Sequence, residues 1–154
     1  MLRFLLPMLV FLYVHHSLAQ TPHGQVIVDS IYSPNLLNEF GEKTTRSVSV
    51  YLPPGYSDSE QRYPVIYFLH GFTGNHYLWP EMVDILDFAI ASHRIRPFIF
   101  IVSDQKTTYD GSFYSNSGVF GNWEDFTAFD LVKYMDENYR TIPEADSRGI
   151  TGHS

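Results

Sequence analysis

Hydrophobic runs along the chain predict strands that alternate with helices. Residues 26–32 and 46–52 are rich in β-branched residues and alternate with polar positions, which is typical of half-exposed strands near a sheet edge. Residues 64–69 and 97–102 are continuously apolar, as expected of strands in a parallel sheet that helices cover on both faces. The short run of residues 148–152 predicts a further strand.

Two segments with helical spacing separate the three later strands. The first, residues 81–92, carries its apolar side chains on one face (Met82, Ile85, Leu86, Ala89 and Ile90) and its acids on the other (Glu81, Asp84 and Asp87). The second is predicted over residues 122–139, with Asn122 as its N-cap and a buried stripe of Ala128, Leu131, Val132, Met135 and Tyr139. A long polar and aromatic loop, residues 105–121, precedes it. The alternation predicts a mostly parallel sheet flanked by helices.

The first nineteen residues have the three-part pattern of a secretory signal. Arg3 gives a basic start, residues 4–14 are almost continuously apolar, and Ser17 and Ala19 are small residues at the positions that a signal peptidase reads. The apolar run is too short to span a bilayer. We therefore predict cleavage near Ala19, a secreted or periplasmic protein, and no stable membrane insertion after the signal is removed. A retained N-terminal anchor is the alternative.

Composition narrows the possible chemistry. The formal net charge of −7, without a cluster of Lys and Arg, argues against nucleic acid as a partner. The absence of cysteine excludes disulfides, a thiol nucleophile and a thiolate metal site. The histidines and carboxylates show no ligand spacing on a shared element, so no metal site and no cofactor are predicted. No sequence feature specifies an oligomeric state.

The candidate functional residues lie at the ends of predicted strands, where ligands of parallel sheets bind. Gly152-His153-Ser154 is the first half of the G-x-S-x-G turn that holds a nucleophilic serine at the top of a sheet. Gly55-Tyr56-Ser57 has the same spacing but follows Pro-Pro rather than a strand, so we interpret it as a turn.

A glycine-containing loop, His70-Gly71-Phe72-Thr73-Gly74, follows the first continuously apolar strand. Backbone N–H groups in a loop at this position are suited to stabilise the negative charge that develops on a carbonyl oxygen during acyl transfer. The alternative is a strand-to-helix turn without a catalytic role. We expect His70 to brace the loop rather than act as a base, and Trp79 to pack beneath it.

Four segments together resemble a known family: residues 50–56, residues 63–71, residues 138–143 and residues 147–154. They are similar to the putative-esterase family of α/β-hydrolases, which includes esterase D, feruloyl and acetylxylan esterases, and the mycolyltransferases. The resemblance runs from about residue 46 to the last residue. It implies the α/β-hydrolase fold, Ser154 as the nucleophile, and the backbone N–H of Phe72, in the loop of Gly71, as one oxyanion donor.

The chain departs from the family pattern after the serine. The Met-Gly-Gly that usually follows is missing, as are the acid and the histidine of the triad. The sequence therefore predicts a signal peptide (1–19), an N-terminal extension with a first edge strand (20–45), and the N-terminal half of an α/β-hydrolase domain, cut after the nucleophile strand (46–154). Without a general base, these 154 residues alone are expected to have no esterase turnover.

The loop before the second helix is a candidate for substrate binding. Aromatic rings with neighbouring hydroxyls suit sugars or aromatic acyl groups, and the candidate contacts are Tyr109, Ser112, Tyr114 and Trp123. The alternative is that these rings only pack the loop onto the sheet.

Three functions remain open from the sequence. The first is a secreted serine esterase that acts on a small-molecule or carbohydrate ester of the feruloyl or acetyl type. The second is an acyltransferase of the mycolyltransferase kind, in which an alcohol rather than water resolves the acyl-enzyme. The third is a non-catalytic relative that binds carbohydrate or a partner.

Overall fold

A computed structural model of the chain describes residues 23–153. Residues 1–22 and Ser154 lie outside the described residues, and with them the predicted signal peptide and the predicted nucleophile. No helix within 23–153 has the length and apolar character that crossing a membrane requires.

Five strands form one mixed sheet in the order β1-β2-β4-β3-β7. Its strands are β1 (Gln25–Tyr32), β2 (Thr45–Leu52), β3 (Val65–Leu69), β4 (Ile99–Ser103) and β7 (Arg148–Gly152). The neighbours β4, β3 and β7 are parallel, as the sequence predicts. The two N-terminal strands add antiparallel pairs, β1 with β2 and β2 with β4. Within the long loop, a two-stranded hairpin joins β5 (Asn116–Ser117) to β6 (Gly121–Asn122).

The exposure predicted for residues 46–52 is wrong. They form most of β2, which lies next to the edge strand β1, and so near the sheet edge as predicted, but is largely buried rather than half exposed. The alternation of Val48 and Val50 with serines predicts that one face of this strand is exposed to solvent. Ser49 is nevertheless only 2% exposed, and a hydrogen bond between its hydroxyl and the His76 ring, 3.0 Å from Nδ1, compensates the burial.

Two apolar layers cover the two faces of the sheet, because successive strand residues point to opposite sides. On one face, Val65 and Ile101 pack with side chains of the second helical region, including Trp123, Phe126 and Met135. On the other face, the strand residues Tyr51, Phe100 and Val102 pack against helix α1 (Pro80–Ala91) through Leu86 and Ile90.

Helix α1 differs from its predicted pattern at two positions. Ile85, predicted to be buried, is 61% exposed, and Asp87, predicted on the outer face, is 3% exposed. The Asp87 carboxylate accepts hydrogen bonds from the Tyr51 hydroxyl at 2.7 Å and the Gly24 N–H at 2.9 Å, and lies 3.2 Å from Nδ1 of His23. These partners compensate its burial and hold the start of β1 against the helix.

The second helical region is interrupted. It consists of α2 (Trp123–Asp125), a π-helical segment (Phe126–Leu131) and α3 (Val132–Asn138). The π-helical register turns Phe126 into the core and leaves Ala128, predicted to be buried, exposed. Asn122 stands at the N-cap position as predicted, but its side chain makes no capping hydrogen bond.

Asp29 in the edge strand β1 connects this strand to α3 and to the residue that follows α3. Its contribution to stability can be measured. Its carboxylate accepts hydrogen bonds from the Tyr134 hydroxyl at 2.6 Å and the Tyr139 hydroxyl at 3.1 Å. The Tyr134 bond is the largest cause that lowers the pKa of Asp29 below its usual value of 3.8.

We predict that Asp29→Asn lowers the free energy of unfolding by about 1 kcal/mol at pH 7, a small value because the site is partly exposed. Since the pKa of the folded state is lowered, this stability is complete above pH 3.8 and is lost as the pH falls through the lowered pKa. Urea unfolding at pH 7 and near pH 3 measures the difference, with Asp58→Asn at an exposed position as the control. An equal deficit at both pH values contradicts the prediction.

Candidate active site

Two neighbouring parallel strands bring the candidate residues to one rim of the sheet. Leu69, the last residue of β3, pairs with Gly152, the last residue of β7. The ladder continues one step further, because the N–H of His153 donates to the carbonyl oxygen of Leu69 at 3.0 Å. The loop that begins at His70 therefore leaves the sheet beside His153.

The peptide unit between Gly71 and Phe72 is fixed through its carbonyl side. The oxygen of Gly71 accepts a hydrogen bond from the N–H of Gly74 at 2.9 Å and lies 2.9 Å from Nδ1 of His70. In a trans peptide the N–H points away from the carbonyl oxygen, so the N–H of Phe72 faces the opposite way. Within residues 23–153 this N–H has no hydrogen-bond partner.

His70 is a buried structural residue, 7% exposed, as expected from its place in the loop. The backbone N–H of Gln105 donates to its Nε2 at 3.0 Å, so Nε2 is an acceptor and the ring proton lies on Nδ1. That proton is the one donated to the oxygen of Gly71. With both ring nitrogens engaged, the imidazole is not free to act as a base in the cleft.

Two clefts meet at this rim, and His70, Gly71, Phe72 and His153 line both. The large cleft, about 700 Å³, has a mainly apolar surface and includes three aromatic side chains that are more than half exposed: Phe72, Tyr77 and Trp79. No Asp, Glu, Lys or Arg is among its lining residues in the described part of the chain. The small cleft, about 270 Å³, adds the polar side chains of Gln105 and Ser112. Such paired clefts suit an uncharged ligand with an aromatic or apolar part.

The family model described as "Putative esterase" matches residues 39–154, three quarters of the chain. The chain belongs to this family. This confirms the resemblance inferred from the sequence motifs.

Two curated proteins are similar to a large part of the chain. An endo-1,4-beta-xylanase/feruloyl esterase of Xylanibacter ruminicola is 31% identical over 124 residues, which cover 71% of this chain and 16% of that protein. An esterase of Mycobacterium tuberculosis is 32% identical over 112 residues, covering 70% of this chain and 23% of that protein. The chain thus spans less than a quarter of the length of these curated relatives.

Solved structures of esterases share the fold. A ferulic acid esterase superposes with a TM-score of 0.73 at 23% identity, over 85% of this chain and 49% of its own. A CE1 ferulic acid esterase from Anaeromyces mucronatus, in complex with ferulic acid, gives a TM-score of 0.67 at 20% identity, over 88% and 51% of the two chains. The putative-esterase chain described here therefore has the α/β-hydrolase fold, with its mixed sheet between helices.

The predicted site residues occupy different places. Gly71 and Phe72 lie at the rim, as described, and Ser112 and Tyr114 reach the small cleft. Tyr109 instead packs on Phe120, with ring centroids 5.1 Å apart, and lines neither cleft.

Trp123 is not a ligand contact, so that prediction is wrong. Its side chain is completely buried in the core, its Nε1–H donates to the oxygen of Phe120 at 2.7 Å, and the guanidinium of Arg46 lies over its ring at 4.6 Å. Trp79 was expected to pack beneath the loop but is 53% exposed and lines the large cleft. Trp79 therefore has the opposite exposure to the one predicted, whereas the burial of Trp123 agrees with the alternative that the rings of this loop pack onto the sheet.

Sequence reasoning missed Gln105, which is fully buried although it follows a strand in a polar stretch. Its side chain donates to Ser103 Oγ at 2.9 Å and accepts from Thr127 Oγ1 at 3.1 Å. These contacts fix the backbone that donates to His70. A glutamine at a strand end is compatible with an exposed loop, so no local signal distinguishes this role.

Gly74 tests the geometry of the loop. A Cβ at this position would lie 2.8 Å from the oxygen of Gly71 and 2.9 Å from Nδ1 of His70, closer than real Cβ atoms approach. We predict that Gly74→Ala destabilises the protein by about 1–3 kcal/mol, as overpacking does. Thermal or urea unfolding measures the loss. Gly118→Ala is the matched control, because a Cβ there meets nothing within 4 Å. Equal stability of both variants would show that the loop is not packed as described.

Proposed function

We propose that the whole protein is a serine carboxylic-ester hydrolase that acts through an acyl-enzyme, with Ser154 as the nucleophile. The observation that supports this most directly is the pairing of Leu69 with Gly152, followed by the bond from His153 to Leu69. It brings His153, which precedes Ser154 in the chain, next to the loop whose Phe72 N–H has no partner among the described residues.

The proposed reaction uses these groups in two steps. Ser154 Oγ attacks the ester carbonyl carbon while a general base takes its proton, and the negative charge moves to the carbonyl oxygen. The N–H of Phe72, with that of the residue after the nucleophile, stabilises this oxyanion. Collapse of the tetrahedral intermediate expels the alcohol, which receives the proton from the base. Water then attacks the acyl-enzyme by the same route and releases the acid.

The general base is proposed to come from a part of the whole protein beyond these residues. His70 has both ring nitrogens bonded, and His76 is bonded to the buried Ser49 on another strand. In this fold the acid and the histidine of the triad follow the serine in the chain. We therefore expect a polypeptide of residues 1–154 alone to show no ester turnover.

The proposed substrates are small or carbohydrate-linked esters of the feruloyl or acetyl type. The large aromatic cleft beside Phe72 is of the size and polarity that would accept a planar aromatic acyl group. Two of the similar solved structures are described as complexes with ferulic acid and with sinapinate, both aromatic acids.

Serine catalysis predicts a loss of activity in one variant of the full-length protein. Ser154→Ala is expected to reduce kcat on p-nitrophenyl acetate and methyl ferulate by about 10⁴-fold or more, because no other group replaces the nucleophile. Ser57→Ala, in the other G-x-S tripeptide, is the matched control and should retain wild-type kcat. Ser57 lies in the short helical turn Tyr56–Asp58, which Pro53 and Pro54 separate from the end of β2. If Ser154→Ala keeps its activity, the proposed mechanism is wrong.

Export from the cytoplasm is also part of the proposal, and it rests on the pattern of residues 1–19. We predict that the mature protein begins near Gln20. Mass spectrometry of the N-terminal peptide of the secreted or periplasmic protein checks this, and a mature chain that still contains residues 4–14 would contradict it.

A further inference from the structure

The loop of residues 105–115 holds the loop of residues 70–74 at several points. The backbone N–H of Thr73 donates to the oxygen of Asp110 at 3.2 Å, and Gln105 binds the His70 ring. The Phe72 ring lies against Gly111, where an added Cβ would be 2.9 Å from the ring. The orientation of the Gly71–Phe72 peptide therefore depends on a segment far away in sequence.

Tyr114 makes the most direct of these contacts to the backbone. Its hydroxyl donates to the carbonyl oxygen of His70 at 2.6 Å, one peptide unit before the oxygen of Gly71. Its ring also packs edge-on against the His70 ring, with centroids 5.9 Å apart. One tyrosine thus restrains both the backbone and the ring of His70.

The backbone of Tyr114 is itself held in an unusual conformation. Its φ of 51° and the φ of 53° at Phe113 lie in the left-handed region, which non-glycine residues adopt at an energetic cost. The buried hydroxyl of Ser112 accepts a hydrogen bond from the N–H of Tyr114 at 3.1 Å and supports this turn. Such strain persists where surrounding contacts determine the geometry, and it marks functional positions more often than others.

The hydroxyl remains a donor over the pH range in which an esterase would work. Burial, the largest cause, raises the pKa of Tyr114 above its usual value, and the negative charge of Asp104 raises it further. The neutral hydroxyl has one proton, and the structure directs it to the oxygen of His70.

We propose that Tyr114 and His70 are positioning residues that fix the orientation of the Phe72 N–H, rather than substrate contacts. Tyr114 restrains His70, and the Nδ1–H of His70 then binds the oxygen of Gly71 on the far side of the same peptide unit. The proposal rests on the proposed function, because it assigns the preorganisation of its oxyanion donor to these two side chains.

Tyr114→Phe in the full-length enzyme tests the inference by removing one hydroxyl. A small displacement of an oxyanion donor impairs the transition state more than substrate binding, so kcat on methyl ferulate should fall about tenfold with KM changed less than about twofold. The affinity for phenylboronic acid, which forms a tetrahedral adduct with an active-site serine, should fall by a similar factor.

Tyr134→Phe is the matched control. It removes a hydroxyl that also donates at 2.6 Å, but to Asp29 on the edge strand β1. Its kcat and its boronate affinity should equal those of the wild type, even where its stability is reduced. A parallel loss of kcat in both variants would mean that Tyr114 acts through general stability, and the inference would be overturned.

The His70 position provides a second test that does not depend on the folding of Tyr114→Phe. His70→Asn retains an N–H donor, Nδ2, which lies two bonds from Cβ as Nδ1 of histidine does, and it can bind the oxygen of Gly71. His70→Leu has no side-chain donor. We expect kcat of the Asn variant to exceed that of the Leu variant by about tenfold, with similar KM. Equal kcat values would overturn the inference.

The Ser154→Ala variant separates failure of the inference from failure of the proposed function. If Ser154→Ala is inactive but Tyr114→Phe retains wild-type kcat or changes only KM, the positioning role is wrong and the esterase mechanism stands. If Ser154→Ala is active, the mechanism itself is wrong, and with it the role assigned to Tyr114.

Discussion

Parallel pairing of β3 with strands on both of its sides determines where the candidate chemistry is located. Because β3 pairs with β4 on one side and with β7 on the other, three carboxyl ends meet at one rim. The register pairs Leu69 with Gly152, so the loop that contains Gly71 and Phe72 starts next to His153. A slip of one residue in β7 would turn its side chains to the other face and shift its end by about 3.3 Å along the strand axis, away from its place beside Leu69.

The sequence predicts the parts of the fold that depend on local pattern. The strands β3 and β4 were evident because a continuously apolar run has one simple explanation in a helix-covered sheet. The burial of β2 and of Asp87 is not evident from the sequence, because serine and aspartate are polar residues. In the structure, partners distant along the chain compensate the burial of Ser49 and Asp87. The π-helical segment is not predicted, because the pattern over residues 122–139 was interpreted with a regular α-helical period that includes Phe126.

The sequence predicts where the candidate site lies, but not the side-chain orientations and loop contacts that form it. Motifs at the ends of predicted strands indicate which residues share a rim, because topology alone brings them together. They do not indicate which side of a ring faces a cleft. Trp79 was therefore expected beneath the loop although it lines the large cleft, and the buried Trp123 was included among the candidate contacts. The backbone N–H of Gln105 donates to the His70 ring and the Tyr114 hydroxyl donates to the carbonyl oxygen of His70, and no spacing in the sequence predicts such contacts.

The central claim is that the N–H of Phe72 and the Oγ of Ser154 act on one carbonyl group. A crystal structure of the full-length protein, after reaction with an aryl phosphonate ester that mimics the tetrahedral intermediate, tests it most directly. We predict phosphorus bound to Ser154 Oγ, with a phosphonyl oxygen about 2.7–3.1 Å from the nitrogen of Phe72. A phosphonyl oxygen directed away from the loop of Gly71, or an adduct on another residue, would contradict the claim.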